Sequence, residues 1–286
     1  MKPSTHNNQK IQELFDLRGR VAAVVGGAGY LSQKLAGALA EAGAQVAVLD
    51  LDQKKAQETA AALESKTQSR CMGAAVDVTS ASSVEKALAE VLNRFGQVDI
   101  LVTAVYGKSP NFYAPFEQFP LAEWEQILRV NLTGAFLCCQ IFGKQMVRQG
   151  KGSIIQIGSV YGVVPPDHRI YENSNLAEVY VGEKSPFTRI ASPAAYSVCK
   201  AGGVMLTRYL AVYWADKGVR VNSVSPGGVF HPSENEEFLR RYNEHVPMGR
   251  KAWLHEINGA VVYLASDASS YVTGHNLVVD GGWTTW

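Results

Sequence analysis

The chain of 286 residues has no excess of charge of either sign. Its 27 Lys and Arg face 26 Asp and Glu, which gives a formal net charge of +1 at pH 7. Proteins that bind nucleic acid or anionic membranes through charge carry a basic face, and this composition offers no such footprint. We therefore expect neither a nucleic-acid partner nor a charged membrane surface.

Long apolar runs are also missing. No stretch reaches the ~18 uninterrupted apolar residues that a membrane-spanning helix needs, and the N-terminal MKPSTHNNQKIQELFDLRGR has no apolar signal core. Membrane insertion and export are therefore not expected.

Cysteine is scarce, and its four copies show no CxxC spacing: Cys71, Cys138, Cys139 and Cys199. Neither a metal site nor a disulfide framework is expected from such a pattern. A reducing cytoplasm fits this cysteine usage best.

The chain has ample material for one large core, since 47% of its residues are apolar and 19% are charged. Its length exceeds the roughly 200 to 250 residues of a common α/β domain but falls short of two average domains. We expect one domain over 19–286, preceded by a polar surface arm over 1–18. The irregular segment 160–195 is far longer than the usual connection of ~4 to 6 residues, and we expect it to overhang a substrate.

From residue 21 onward, short β-branched runs alternate with longer segments of helical period, a pattern typical of βαβ units. The strand candidates are VAAVV (21–25), QVAVLD (45–50), CMGAAVD (71–77), DILV (99–102), SIIQIG (153–158), VRVNSV (219–224) and NLVVD (276–280). Several are apolar on both faces, as in a sheet covered on both sides. The sequence predicts an α/β fold with a doubly wound parallel sheet of about seven strands and helices on both faces.

A glycine-rich turn, GGAGYLS, follows the first strand and opens the first helix of the pattern. Such a turn brings backbone N–H groups and a helix N-terminus to a pyrophosphate, and glycine permits the close approach. Glycine-rich turns are also ordinary in α/β proteins, so the turn alone decides little. Its candidate cofactor-binding residues are Gly26, Gly29, Tyr30 and Leu31.

The second strand ends in Asp50, followed by Leu51. A carboxylate at this place accepts hydrogen bonds from both adenosine ribose hydroxyls and repels a 2′-phosphate, which favours NAD over NADP as the cofactor. Asp77 and Val78, after the third strand, are candidates for the adenine site. Alternatively, Asp77 only caps the next turn.

Oxidation of an alcohol by hydride transfer needs a base for the hydroxyl proton, and a Tyr is a poor base until a cation lowers its pKa. A Tyr and a Lys four residues apart on a helix supply such a pair. The spacing occurs three times, at Tyr30/Lys34, Tyr180/Lys184 and Tyr196/Lys200. Only the last pair opens a long apolar helix and follows a strand that ends in a polar partner, Ser159.

With these motifs, the chain resembles the short-chain dehydrogenase/reductase family and a Rossmann-like fold over residues 15–286. The resemblance is carried by the glycine turn, Asp77, Asn131 in VNLTGAF, Ser159, YSVCK, RVNSVSPGGV, SYVTG and VDGGW. It implies that SPGGV contributes three more cofactor-binding residues, Pro226, Gly227 and Val229. It also implies a homotetramer or homodimer.

The resemblance also assigns chemical roles. Tyr196 would be the general acid/base, while Lys200 would bind the nicotinamide ribose and lower the Tyr pKa. Ser159 would hold the substrate oxygen, and Asn131 would support a water chain for proton relay. Two alternatives stay open: Asn131 could simply bond backbone groups in a helix, and Ser159 could be a strand-end turn residue.

Three departures from the family pattern surround the cofactor. In the usual TGxxxGxG turn, Val25, Tyr30 and Ser32 replace a Thr and two Gly; TAVYG replaces NNAG; and His231 replaces a Thr that contacts nicotinamide. These changes predict altered binding of the cofactor. Because the proton-handling residues are kept, they do not predict loss of the reaction itself.

The sequence therefore predicts an NAD(H)-dependent oxidoreductase that interconverts a secondary alcohol and a ketone on a small molecule, a sugar, sugar acid or polyol. The polar and aromatic content of 160–195 favours such a substrate over a steroid or fatty chain. Two alternatives remain: a dinucleotide-binding sensor or scaffold without turnover, and an epimerase or dehydratase that retains its NAD.

Overall fold

The computed structural model describes residues 10–187 and 189–286. Within them, one sheet of seven strands has the order β3-β2-β1-β4-β5-β6-β7, with every neighbouring pair parallel. The strands are β1 Val21–Val25, β2 Gln45–Asp50, β3 Cys71–Ala75, β4 Ile100–Thr103, β5 Gly152–Ile157, β6 Val219–Pro226 and β7 Asn276–Val279. The predicted doubly wound α/β fold is confirmed, with strand ends displaced by one or two residues.

Helices connect the strands in the described chain. They are α1 Ile11–Leu14, α2 Ser32–Glu41, α3 Gln53–Thr67, α4 Ala81–Phe95, α5 Leu121–Leu128, α6 Gly134–Gln149, α7 Leu176–Tyr180, α8 Ala194–Trp214, α9 Glu236–Glu244 and α10 Asn258–Ala265. A π-helical turn, Arg129–Thr133, joins α5 to α6. No helix in the described ranges is long and apolar enough to cross a membrane.

Each strand of the sheet supplies two cores because its side chains alternate between faces. In β1, Val21 and Val25 pack in the core beneath α4, α6 and α8, whereas Val24 packs beneath α2, α3 and α10. Burial of both faces explains why β1 is apolar throughout.

The sheet order reverses between β1 and β4, and this places a crevice at their carboxyl ends. The chain winds from β1 outward to β3 and then returns to β4 on the other side of β1. Gly26 follows β1 with a φ of +73°, and a Cβ there would lie 2.9 Å from the carbonyl oxygen of Ala104. Glycine therefore lets the two strand-end loops meet.

A third cluster of apolar side chains lies above this edge of the sheet. Much of it comes from the segment 160–195, where Ile170, Tyr171 and Leu176 are buried and pack in one cluster with Phe238 and Trp283. The segment contains α7 and two short 3-10 turns, Val160–Gly162 and His168–Tyr171. The described residues of the segment therefore form a folded layer with its own core above this edge of the sheet.

The predicted N-terminal arm lies partly outside the described residues, at 1–9. Its last part belongs to the domain, because Leu17 is fully buried in the core beneath α2 and donates its N–H to Ala42 at 2.9 Å. The packed domain therefore begins inside the range expected to be a surface arm. All four cysteines are buried and free.

Candidate active site

A cavity of about 680 Å³ opens at the carboxyl ends of the strands. Its volume is that of a site for a sizeable small molecule. The structure brings all the predicted cofactor-binding residues to its wall: Gly26, Gly29, Tyr30, Leu31, Asp50, Leu51, Asp77, Val78, Tyr196, Lys200, Pro226, Gly227 and Val229. Ser159 lies on the same wall, whereas Asn131 lines a much smaller neighbouring cavity.

The turn after β1 presents unpaired backbone donors to the cavity. Gly29 donates its N–H to the Gly26 carbonyl at 3.2 Å, while the N–H groups of Tyr30 and Leu31 donate to no acceptor in the described chain. Helix α2 begins at Ser32 without a side-chain cap. These free donors and the positive end of α2 suit a pyrophosphate.

The half of the cavity that the glycine turn borders is called the nucleotide half below, and Asp50 lies at its far end. One carboxylate oxygen accepts the Ala28 N–H at 3.0 Å, and the other has a long contact of 3.4 Å with the Asp52 N–H. The first bond ties the carboxylate to the glycine-rich turn and leaves acceptor capacity toward the cavity. The donors of the turn and this fixed carboxylate together fit the pyrophosphate and ribose of a dinucleotide.

Asp77 has the turn-capping role weighed from the sequence, and its role at the adenine stays a prediction. Its carboxylate accepts the N–H of Thr79 at 2.9 Å and the hydroxyl of Thr79 at 2.8 Å, so it caps the turn that precedes α4. These hydrogen bonds hold the pKa of Asp77 below its usual value. It also lines the cavity beside Val78, so its position at the adenine end stays compatible with cofactor binding.

Three polar groups meet at the other half of the cavity, where α8 begins. Tyr196 lies in the first turn of α8, and Ser159 follows β5. Lys200, one turn beyond Tyr196, donates its ammonium to the Ile157 carbonyl at 2.7 Å and lies 5.5 Å from the centroid of the Tyr196 ring. The pair chosen from three equal spacings is therefore the one next to Ser159.

Burial raises the pKa of Tyr196, and a hydrogen bond with Ser159 opposes this rise only in part. The lowering by Lys200 that the resemblance implies stays a prediction: the Lys200 ammonium donates to the Ile157 carbonyl and lies 5.5 Å from the centroid of the Tyr196 ring. Ser159 also accepts the Tyr161 N–H at 3.2 Å, so its turn role and its contact with Tyr196 coexist.

Burial lowers the pKa of Lys200 from 10.5 to about 8, and this shift makes stability depend on pH. The unfolded chain binds the Lys200 proton more tightly, so the penalty of burying the charge is full below pH 8 and disappears as the pH rises toward 10.5. Relative to Lys200→Met, the nucleotide-free wild type should gain about 2 kcal/mol of unfolding free energy between pH 7 and pH 10. Urea titrations of both proteins at the two pH values measure this difference, and a difference independent of pH would contradict it.

Asn131 holds the loop that follows β4. It lies in the π-helical turn, where its Oδ1 accepts the Gly107 N–H at 2.8 Å and its Nδ2 donates to the Gly107 carbonyl at 3.0 Å. The backbone-bonding role weighed from the sequence is therefore present. A cavity of about 20 Å³ lies between Asn131 and Lys200, room enough for one water. The relay role of Asn131 stays a prediction that this cavity permits.

Comparison with known proteins decides the family. The family model described as short chain dehydrogenase matches residues 20–174, more than half of the chain, and one described as enoyl-(acyl carrier protein) reductase matches residues 180–284. The chain belongs to the short-chain dehydrogenase/reductase family. As a member, it is an oxidoreductase that acts on CH–OH groups with a nicotinamide cofactor.

Relatives of this dehydrogenase align over nearly their whole length. The D-threitol dehydrogenase of Mycolicibacterium smegmatis is 34% identical, with 96% of this chain and 98% of the relative covered. The NADH-dependent L-xylulose reductase of Ambrosiozyma monospora is 31% identical, with 95% and 97% covered. The crystal structure of a gluconate 5-dehydrogenase from Burkholderia cenocepacia with NADP and tartrate has a TM-score of 0.83 and 29% identity, with 97% and 100% covered.

The half of the cavity next to Tyr196 is called the substrate half below. Its wall includes residues that were not predicted as site residues from the sequence: Tyr106, Lys108, Phe112, Tyr113, Tyr171, Tyr180, Glu234, Phe238, Tyr242 and Lys251. Tyr180 belongs to one of the two Tyr/Lys pairs that do not open a long apolar helix. Its hydroxyl instead donates to Glu234 at 2.8 Å across the cavity wall. The one sequence signal available was the aromatic content of 160–195.

A buried ion pair forms the floor of this half. Lys251 contacts both oxygens of Glu234, at 2.5 and 2.6 Å, and both side chains are almost fully enclosed. The ammonium also lies 5.1 Å from the ring centroid of Phe238 and 5.2 Å from that of Tyr242. The pair joins the chain between β6 and β7 to Tyr180 of the extended segment, and so fixes the shape of the cavity.

Tyr30 is one of the three replacements in the glycine turn, and it reaches across the cleft. Its hydroxyl donates to the Phe230 carbonyl at 3.2 Å, and its ring lies 4.8 Å from that of His231. The ring of His231 also approaches Tyr180, at 5.7 Å. The replacements Tyr30 and His231 therefore contact each other across the cofactor side of the cavity.

Proposed function

We propose that this chain is an NAD(H)-dependent oxidoreductase that interconverts a secondary alcohol and a ketone on a sugar, sugar acid or polyol. The observation that carries the proposal is one continuous cavity. At one end it has a fixed carboxylate and free backbone donors, and at the other Ser159, Tyr196 and Lys200. The first end suits a dinucleotide, and the second suits proton transfer to and from a substrate hydroxyl.

The bound nicotinamide would supply the hydride acceptor or donor of the reaction. Tyr196 would take the hydroxyl proton during oxidation and return it during reduction, as a general acid/base. Ser159, which contacts Tyr196, would hold the substrate oxygen next to the phenol. Lys200 would keep a positive charge beside the ring and stabilise the phenolate when it forms.

Asp50 supports NAD rather than NADP as the cofactor. A 2′-phosphate would bring negative charge against a carboxylate that the Ala28 N–H holds in place. The names of relatives point both ways, since one is NADH-dependent and one was crystallised with NADP. The charge at residue 50 is therefore the feature that separates the two cofactors here.

Asp50→Asn should shift the ratio of kcat/KM for NAD over NADP by roughly 10- to 100-fold toward NADP. Two unit charges at 4 Å repel by about 4 kcal/mol at an effective dielectric constant of 20, and the amide removes this term while keeping the shape of the side chain. Asp52→Asn is the matched control, because Asp52 caps α3 by accepting the Lys55 N–H. An unchanged ratio in Asp50→Asn would remove the basis for NAD preference.

The whole proposal is tested with the purified chain, NAD and a panel of polyols and sugar acids, followed by NADH absorbance. Turnover of at least one compound is expected. NADH binding in calorimetry without turnover of any panel member would favour the sensor or scaffold, and nucleotide that survives purification would favour an epimerase or dehydratase that retains NAD.

Further expectations complete the proposal. The domain would include Leu17 and extend to residue 286, with the segment 160–195 as a substrate lid. The protein would act in the cytoplasm without nucleic-acid or membrane partners. A homotetramer or homodimer is supported by exposed apolar side chains on α8: Met205, Tyr209, Val212 and Tyr213. Size-exclusion chromatography with light scattering measures the assembly.

A further inference from the structure

The charges around the substrate half of the cavity do not balance. The charged side chains there are Lys108, Lys200, Glu234 and Lys251, whereas Asp50, Lys55 and Asp77 belong to the nucleotide half. Glu234 and Lys251 neutralise each other at 2.5 and 2.6 Å. Two cations remain, and neither forms an ion pair in the described chain.

Lys200 is committed to Tyr196 and the Ile157 carbonyl, so Lys108 is the cation left for a substrate. Its ammonium donates to the Tyr180 carbonyl at 2.6 Å and lies 4.8 Å from the Tyr106 ring centroid and 5.2 Å from that of Tyr180. An ammonium carries three N–H donors, and one of them is used here. Burial lowers the pKa of Lys108, as expected of a cation that has lost water and gained no counter-ion.

Lys108 lies one aromatic ring away from the reacting centre. Tyr106 packs edge-on against Tyr196, with 5.4 Å between ring centroids, and Lys108 lies over the same Tyr106 ring. A small extended substrate would therefore place its reacting carbon next to Tyr196 and the group at its end next to Lys108. The rings of Tyr106 and Tyr180 flank this partly buried cation, and the reduced contact with water strengthens its attraction for an anion.

We propose that Lys108 binds a carboxylate of the substrate, so that the enzyme acts on a hydroxy acid such as an aldonate in preference to a neutral polyol. This inference rests on the proposed function, within which it selects the substrate class. A carboxylate suits the site better than a phosphate, because one lysine with one contact already made offers few donors for a dianion. The alternative role is a purely structural one, in which Lys108 only satisfies the Tyr180 carbonyl at the end of α7.

The test compares D-gluconate with D-sorbitol, which differ in a carboxylate against a hydroxymethyl group at one end. Initial rates with NAD give kcat/KM, and titration of the NADH-loaded full chain gives dissociation constants for both. Wild type should prefer gluconate. Lys108→Met should lower kcat/KM and affinity for gluconate ~10- to 100-fold more than for sorbitol, the range of a charged hydrogen bond. Lys108→Arg should keep most of the preference, and Lys184→Met, an exposed lysine of the extended segment, should leave it unchanged.

Several results would overturn the inference. If Lys108→Met lowered kcat/KM and affinity equally for both compounds, the role of Lys108 would be structural, as a donor to the Tyr180 carbonyl. Wild type that binds sorbitol as tightly as gluconate would have no carboxylate site, and tighter binding of sorbitol 6-phosphate would make the group a phosphate. Gluconate binding that depends on Lys108 without turnover of any compound would support the anion site while contradicting the proposed dehydrogenase activity.

Discussion

Tyr196→Phe is expected to lower kcat by ~10²- to 10⁴-fold while NADH affinity changes little. General acid/base catalysis by a positioned side chain contributes about this factor. The substitution removes the phenol oxygen that contacts Ser159 but keeps the ring, which packs edge-on against Tyr106 and Phe112 at 5.4 and 6.4 Å between centroids. The fold and the cavity wall should therefore survive while proton transfer does not.

The measurement is single-turnover reduction of NAD by the best substrate of the panel, with NADH affinity measured by fluorescence titration in parallel. Tyr209→Phe is the matched control, since Tyr209 lies on the same helix and is exposed. Full activity in Tyr196→Phe would show that another group accepts the proton. Loss of NADH binding together with activity would show that the phenol serves the cofactor instead.

The fold and the nucleotide half of the site were predictable because their signals are local. Strand β1, the glycine turn and α2 follow one another in the chain, and β2 brings Asp50 next to the turn by simple parallel pairing, with Val25 opposite Leu49. Short length and β-branched residues distinguish these doubly buried strands from the longer helical segments around them. Tyr196 and Lys200 were separable from two decoy pairs because their helix follows a strand that ends near Ser159.

The substrate half was not predictable, because its residues come from distant connections that have no regular period. Lys108 follows β4, Tyr180 lies in the extended segment, and Glu234 and Lys251 lie between β6 and β7. Their meeting depends on how three irregular connections pack over the sheet edge, as in the Tyr180 hydroxyl on Glu234 at 2.8 Å. The rise in the pKa of Tyr196 was not predictable from its motif either, since it comes from burial in the folded protein.

Lys251→Met should be among the most destabilising single substitutions in the substrate half, with a loss of about 3–5 kcal/mol in the free energy of unfolding. Glu234 is 1% exposed as a side chain and would be left as a charge with the Tyr180 hydroxyl as its remaining side-chain partner. Arg240→Gln is the matched control, because Arg240 pairs with Glu237 on the surface of α9, where such pairs contribute ~0–1 kcal/mol. Urea denaturation of the three proteins at pH 7 gives the comparison.

The double variant Glu234→Leu with Lys251→Met tests whether the ion pair matters for its charge or for the volume that its side chains fill. Removal of both charges leaves no buried charge without a partner, so we expect the double variant to be more stable than Lys251→Met alone. The Tyr180 hydroxyl loses its acceptor in that protein, and the extended segment should loosen over the cavity even where stability returns. A rise in KM for the substrate without a matching loss of stability would assign the Glu234–Lys251 pair to the positioning of Tyr180. A double variant as unstable as Lys251→Met would show that the pair is needed for packing rather than for charge.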